Sequence, residues 1–212
     1  MDDIVAITFL RHGLTESNAK NAYLGWTDEV LSEQGRRELC GYSHINPTFI
    51  FTSDLKRCKE TASILFPSQS ISTVQGLREM HFGDWEGLTH DELQADKHYQ
   101  KWLDNYDKMS TPNGESFQQF QQRVETGWEQ IRNRIISEKI KETVVIAHGG
   151  SLRYILSLLD KEKKSFWDFP LSHGTGYTIQ LTLQDLGEGK RCILSPVERL
   201  MENGSGPSKN SN

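Results

Sequence analysis

Two short strings carry the residue types that could do chemistry in this 212-residue chain: Leu10-Arg11-His12-Gly13 and Ala147-His148-Gly149-Gly150. A neutral imidazole is a competent nucleophile towards phosphorus and forms a covalent phosphohistidine. An arginine stays charged at any relevant pH and can fork onto two oxygens of one phosphate. His12 is therefore a candidate nucleophile and Arg11 a candidate anion ligand, with Gly13 giving a tight backbone open to close ligand approach. His148, if protonated, neutralises a developing phosphorane, and Gly149 and Gly150 behind it leave backbone N–H groups free to approach an oxygen. A third cation, Arg57, lies in Thr52-Ser53-Asp54-Leu55-Lys56-Arg57, at the first turn of a helix, where unpaired N–H groups favour anions. Phosphate esters also need a proton for the departing alkoxide and a base for the attacking water. Glu79 suits that task, because a carboxylate beside aromatic groups and a bound dianion has a raised pKa. Glu86 and Asp84 compete for the role. Each residue also has a plainer reading: a turn or core histidine, a surface ion pair, a solvated carboxylate.

The elements around these residues favour the chemical reading. Ile4–Leu10 and Thr143–Ala147 are apolar, β-branched runs that read as buried strands. In an open α/β sheet, ligands bind beyond the carboxyl ends of the strands. If the two strands are parallel neighbours, His12, Arg11 and His148 meet in one crevice. Further strands are expected at Phe49–Thr52 and Ile71–Val74, with a closing hairpin of 177–183 and 191–194 around Gly187-Glu188-Gly189. Thr15 and Ser32 read as helix caps, the second helix running to about Cys40 with Leu31 as a staple. Ser53 or Asp54 is expected to cap a helix whose apolar side is Leu55, Cys58, Ala62 and Leu65, ended by Pro67. Ser116 with Gln119 forms a capping-box pattern ahead of Phe117, Phe120, Val124, Trp128, Ile131 and Ile135, one face of a long helix. A helix with Leu152, Ile155, Leu156 and Leu159 follows His148. Residues 76–115 read as irregular and polar, a lid or pocket wall.

Composition sets outer bounds. Lys and Arg number 24 against 29 Asp and Glu, a net charge of −5 with no basic block, which argues against a nucleic-acid partner. No apolar stretch approaches the roughly 18 residues that span a bilayer, and Met1-Asp2-Asp3 lacks a basic leader, so no membrane partner and a cytoplasmic location are expected. Cys40, Cys58 and Cys192 lack metal-ligand spacing and read as reduced thiols. No HxxxH or HExxH pair occurs, so neither metal nor cofactor is expected. One domain over 1–200 is expected, with Asn203–Asn212 inside a disordered 201–212 tail.

Taken together, the strings resemble the histidine phosphatase superfamily, the phosphoglycerate-mutase-like fold. The resemblance rests on Leu10-Arg11-His12-Gly13 with Thr15, Glu16 and Asn18; on Gly25-Trp26-Thr27-Asp28; on Ser53-Asp54-Leu55 with Arg57, Thr61 and Ala62; on Leu77, Glu79, Phe82-Gly83 and Trp85-Glu86-Gly87; on Gly114-Glu115-Ser116; and on His148-Gly149. It implies a three-layer α/β fold with a mostly parallel sheet. It implies His12 as the phosphorylated nucleophile, Glu79 as proton donor, and Arg11, Arg57 and His148 as the phosphate pocket, helped by Asn18, with Gly13 and Gly149 against the substrate. Within the superfamily, Glu79–Glu86 and Pro112–Phe117 are most similar to α-ribazole phosphatases, whereas His81 and His173-Gly174-Thr175-Gly176 depart from that pattern. The implied activity is metal-independent hydrolysis of a small phosphate monoester. Broad-specificity phosphatases share much of the pattern. A cofactor-dependent phosphoglycerate mutase shares the catalytic residues but calls for more cations than Lys97, Lys101 and Lys108 between Glu86 and Pro112. A phosphate-binding module without catalysis has no use for a nucleophile and a proton donor together. The aromatic surface of 76–115 (Phe82, Trp85, Trp102, Tyr106) favours a flat heterocyclic leaving group over a three-carbon acid.

Overall fold

The computed structural model describes residues 3–39 and 45–197. The Cys40 end of the second helix and the 201–212 tail lie outside them. The first strand, β1 (Ile4–Arg11), is followed by the short helices α1 (Glu16–Ala19) and α2 (Glu33–Glu38). Then come β2 (Phe49–Thr52), α3 (Lys56–Leu65), β3 (Ile71–Thr73), α4 (His90–Leu93) and α5 (Lys97–Asp104). The chain continues through α6 (Phe117–Glu138), β4 (Glu142–Ala147), α7 (Gly149–Leu159), β5 (Gly176–Thr182), α8 (Leu183–Gly187) and β6 (Ser195–Pro196).

Six strands form one sheet in the order β3-β2-β4-β1-β5-β6. The pairs β3–β2, β2–β4 and β4–β1 are parallel, and β5 and β6 are added antiparallel at one side. Alternation along the strands sends side chains to two different interiors. Val5, Ile7, Phe9, Phe51, Val145 and Ala147 pack against the apolar sides of α6 and α7. Leu10, Ile50, Val144 and Ile146 pack instead on Cys58 and Ala62 of α3 and on Phe66 at its end. Burial on both faces explains why β1 and β4 read as continuous apolar runs. The result is the expected three-layer α/β arrangement with a mostly parallel sheet.

Local sequence accounts for most boundaries. Thr15 and Ser32 cap α1 and α2 through the backbone N–H groups of Asn18 and Gly35. Ser116 and Gln119 form the reciprocal capping box of α6, whose buried residues are the predicted Phe120, Val124, Trp128, Ile131 and Ile135. The start of α3 departs from expectation. Its N-cap residue is Leu55, which has no side-chain cap bond. The carboxylate of Asp28, from a distant loop, accepts from Lys56 N–H at 2.6 Å instead. A cap supplied across the fold leaves no mark in the local sequence.

Two further expectations are corrected. No hairpin turns around Gly187. Thr182 caps α8 by accepting from Asp185 N–H, so the chain turns helical where β5 ends. On the side away from β1, β5 pairs with β6, through Tyr177 with Pro196 and Thr178 with Ser195. Residues 76–115 are not an irregular polar stretch. They carry two single-turn 3₁₀ helices as well as α4 and α5, and they bury Leu77, Met80, Trp85, Leu93, Tyr99 and Trp102. Trp85 packs edge-on to Tyr99 and Trp102, with ring centroids 5.3 Å away in each case. The Tyr99 hydroxyl meets Tyr23 Oη at 2.7 Å and His90 Nδ1 at 2.8 Å. These helices are too short for apolar periodicity to show among their charges. Among the described residues no helix is long and apolar enough to cross a membrane, no cluster of His, Cys, Asp and Glu is placed to hold a metal, and Cys58 and Cys192 are free thiols.

Candidate active site

The site forms where three parallel strands end together. Arg11 is in register with Ala147, and the ladder runs one step further, His12 N–H donating to Ala147 O at 3.0 Å. Ser53 N–H donates to Ile146 O at 3.0 Å. Ser53, His148 and His12 thus sit side by side beyond β2, β4 and β1, the place where an open α/β sheet binds ligands. The imidazoles of His12 and His148 meet edge to face, with centroids 5.0 Å apart.

His12 is buried, and its Nδ1 lies 2.7 Å from Gly13 O. Burial first, then the guanidiniums of Arg57 and Arg11, hold its pKa well below 6.5. A neutral imidazole donating through Nδ1 to a carbonyl keeps its lone pair on Nε2, so Nε2 is the atom able to attack. Gly13 supports this geometry: its carbonyl holds the His12 ring, and its N–H donates to Thr61 Oγ1 at 3.0 Å. A Cβ at Gly13 would stand 3.3 Å from the Leu31 and Leu39 side chains, so close packing is what the glycine serves there.

The buried His148 is disposed to the neutral imidazole, whereas the charge-neutralising role set out from the sequence is conditional on protonation. Burial and the neighbouring Arg57 hold its pKa well below 6.5. Arg57 Nε donates to its Nδ1 at 3.2 Å, and its Nε2 lies 2.9 Å from Ser53 Oγ. An acceptor Nδ1 in a neutral ring puts the proton on Nε2, facing Ser53. Fixed positive charge comes from the arginines. Arg57 is fully buried and also donates from its terminal nitrogens to Thr27 O at 2.8 Å and Gly25 O at 2.6 Å. Arg11 donates to Leu171 O at 2.7 Å, while its buried Nε has no partner. Burial lowers Arg11 to about 10, which leaves it charged at neutral pH. Oδ1 of Asn18 is likewise buried and unpaired. Rotation of that amide by half a turn would present an N–H in its place. Arg11 and Asn18 line one cavity.

Glu79 approaches from the other side. Its Oε2 accepts from Gly150 N–H at 2.7 Å and its Oε1 from Met80 N–H at 2.9 Å. Gly150 N–H is therefore taken, and it ties the carboxylate to the first turn of α7, two residues after His148. Gly149 packs on Arg11, whose Cζ would lie 3.4 Å from a Cβ at that position. The two rival carboxylates have other work. Glu86 accepts from Trp26 N–H at 2.7 Å and Thr27 N–H at 2.6 Å, fixing the loop whose carbonyls hold Arg57. Asp84 accepts from Asn113 Nδ2 at 2.8 Å.

Sequence reasoning missed the residues that hold Glu79 in place. Arg123 donates to the carbonyls of Gly76, Arg78 and Glu79 and pairs with Glu115 at 2.7 Å. Trp26 Nε1 donates to Glu79 O at 3.0 Å. Ser53, read only as a cap, contacts His148. The cation Arg153 was missed as well, although it follows His148 by five residues, on a helix that starts at the site.

Two cavities border this centre. One of about 410 Å³ is lined by Arg11, Asn18, Asn21, Ala22, Tyr23, His90 and His173. The other, of about 510 Å³, has Glu79, Gly150 and Arg153 at one end. Its walls include Tyr23, Phe82, Trp102, Tyr106, Phe166 and Trp167. Tyr23 borders both.

Comparison with known proteins agrees with this architecture. Residues 7–189 match the sequence model of the histidine phosphatase superfamily (branch 1). A 2,3-bisphosphoglycerate-dependent phosphoglycerate mutase of Allorhizobium ampelinum is 31% identical over 175 residues, covering 74% of this chain and 81% of the mutase. An adenosylcobalamin/alpha-ribazole phosphatase of Salmonella typhimurium is 28% identical over 189 residues, covering 81% of this chain and 88% of that protein. The crystal structure of the alpha-ribazole phosphatase from Shigella flexneri superposes with a TM-score of 0.76 at 24% identity, covering 91% of this chain and 96% of that one. At that identity the likeness speaks for the fold.

Proposed function

From the premise that this chain belongs to the histidine phosphatase superfamily, branch 1, whose members named above transfer or hydrolyse phosphoryl groups, we propose that it is a phosphomonoesterase working through a phosphohistidine. His12 Nε2 attacks phosphorus in line, and the bond to the leaving oxygen breaks. Glu79, as the carboxylic acid, gives its proton to that oxygen, releasing an alcohol. The carboxylate then takes a proton from water, whose oxygen attacks the phosphohistidine, and inorganic phosphate leaves as the N–P bond breaks. Arg11, Arg57 and Asn18 hold the phosphoryl oxygens, with His148 beside them. Such preorganised charge is the main source of catalysis in phosphoryl transfer. No step needs a metal or a cofactor.

The observation that carries this reading is the position of Glu79. It lies between the strand-end histidines, to which Gly150 ties it, and an aromatic chamber that suits a leaving group. The walls also bear on the substrate. A three-carbon acid would leave most of about 510 Å³ unfilled, whereas a flat heterocycle on a sugar would occupy more of it and meet its aromatic walls. We therefore take a nucleotide-like monoester as the substrate class, with α-ribazole 5′-phosphate as its leading member, in line with the names of the phosphatase relatives. Stacking is worth about 1–3 kcal/mol per base. kcat/KM for α-ribazole 5′-phosphate is then expected to exceed that for 3-phosphoglycerate on the order of 10- to 100-fold. Equal or inverted values at matched pH would make this a broad-specificity phosphatase.

The second reading is a mutase, favoured by relatives at 31% identity. Retaining a bisphosphate during turnover calls for several cations around the leaving group, and among the described residues Arg153 is the single cation lining the aromatic chamber. Interconversion of 2- and 3-phosphoglycerate, measured with catalytic bisphosphate added, decides between the two.

A further inference from the structure

His173 stands in a stretch that departs from the α-ribazole phosphatase pattern, yet the fold holds it against the nucleophile. It sits on a turn closed by Thr175, whose N–H and hydroxyl both donate to Ser172 O, at 3.1 and 2.8 Å. The turn is fastened to the site on both sides. Gly174 N–H donates to Arg11 O at 3.0 Å, and Arg11 N–H donates to Thr175 O at 2.9 Å. The Arg11 guanidinium reaches back to Leu171 O, just ahead of the turn, at 2.7 Å. Gly174 has φ +62°, a conformation that glycine adopts without strain. Gly176 brings β5 so close to β1 that a Cβ would fall 1.7 Å from Phe9 O. The backbone thus sets the register of His173 against Arg11 and His12 before any side-chain contact is considered.

The side chain completes the arrangement. Its ring centroid lies 5.5 Å from that of His12, and it lines the same cavity as Arg11 and Asn18, the two groups with unpaired buried atoms. Burial, then Arg11, lowers its pKa to about 3, so the imidazole is uncharged at neutral pH and one ring nitrogen carries a proton. A neutral N–H donor beside a guanidinium adds a hydrogen bond to an anion without the repulsion that a further cation would meet.

We propose that His173 is an additional phosphoryl-binding residue, donating a hydrogen bond to an oxygen of the transferred group on the Arg11 side of the pocket. This rests on the phosphatase reading and extends it to a residue outside the shared motifs. A hydrogen bond to a charged acceptor corresponds to a loss on the order of 10-fold or more when the donor is removed.

The test uses vanadate, which mimics five-coordinate phosphorus, as the probe. His173→Phe keeps the ring volume without a donor. His173→Asn and His173→Gln carry amide N–H groups near the two ring-nitrogen positions. The phenylalanine variant is expected to bind vanadate at least 10-fold more weakly, with KM for a generic aryl phosphate rising in parallel. At least one amide variant should return to within about 3-fold of the wild type. Should the phenylalanine variant fail to fold, as judged by its thermal midpoint, His173→Ala is read in its place. Wild-type affinity in the donor-free variant, or equal weakness in all the variants, overturns the proposal and leaves His173 a packing residue. A wild type that binds no vanadate and traps no phosphoenzyme fails the phosphatase reading itself, and the two failures are thereby told apart.

Discussion

His12→Ala is expected to reduce turnover about 10⁶-fold, the order associated with deleting the nucleophile of a covalent mechanism. The size follows from the geometry. Gly13 O fixes the ring through Nδ1, leaving Nε2 as a lone pair at the strand end. The other imidazole of the shared layer, His148, has both nitrogens engaged, with Arg57 and with Ser53, so it has no lone pair to substitute. The variant should still fold, because the turn is held by backbone bonds such as His12 N–H to Ala147 O. It should also still bind phosphate through Arg11 and Arg57. A steady-state assay with an aryl phosphate, set beside a thermal melt, checks both halves. Activity within 100-fold of the wild type in a folded variant would remove His12 from the role.

Glu79→Gln is the second large effect. The amide keeps the shape of the side chain but has no acidic proton to give or take back. With alkyl phosphates the loss should be on the order of 10²–10⁴, the usual range for a general acid. With nitrophenyl phosphate the deficit should shrink, since nitrophenolate leaves with little protonation, provided that phosphorylation limits the rate. The contrast between leaving groups distinguishes an acid from a residue that merely supports the pocket. Glu86→Gln supplies the comparison. Glu86 braces Trp26 and Thr27, and through Gly25 O and Thr27 O that loop holds Arg57. Its loss should therefore weaken anion binding alike for all esters. A leaving-group dependence in the Glu86 variant and none in the Glu79 variant would exchange their roles.

What the sequence made legible lies on the buried parallel strands and on the long helices, not on the closing strand β6. The apolar runs of β1 and β4 are buried on both faces, so their ends, and hence the meeting of Arg11, His12 and His148, followed from the pattern. The capping box at Ser116 and the stripe from Phe120 to Ile135 were legible because reciprocal side-chain and backbone bonds use a fixed spacing. Contacts between distant segments left no local trace. Asp28 capping α3, Arg123 holding the Glu79 backbone and Glu86 bracing the 25–27 loop each join residues at least 28 positions apart. The aromatic interior of 76–115 was misread for another reason. Tyr99 and Trp102 lie one turn apart on an eight-residue helix, too short for a period to emerge.

The covalent intermediate is the centre of this account, and rapid quench tests it most directly. Wild-type protein mixed with ³²P-labelled monoester and quenched within milliseconds should retain label on the chain that is stable in alkali and lost in acid, as a phosphoramidate bond requires, and peptide mapping should locate it on His12. Label that survives acid, label on another residue, or hydrolysis with no labelled protein at any quench time would contradict the mechanism.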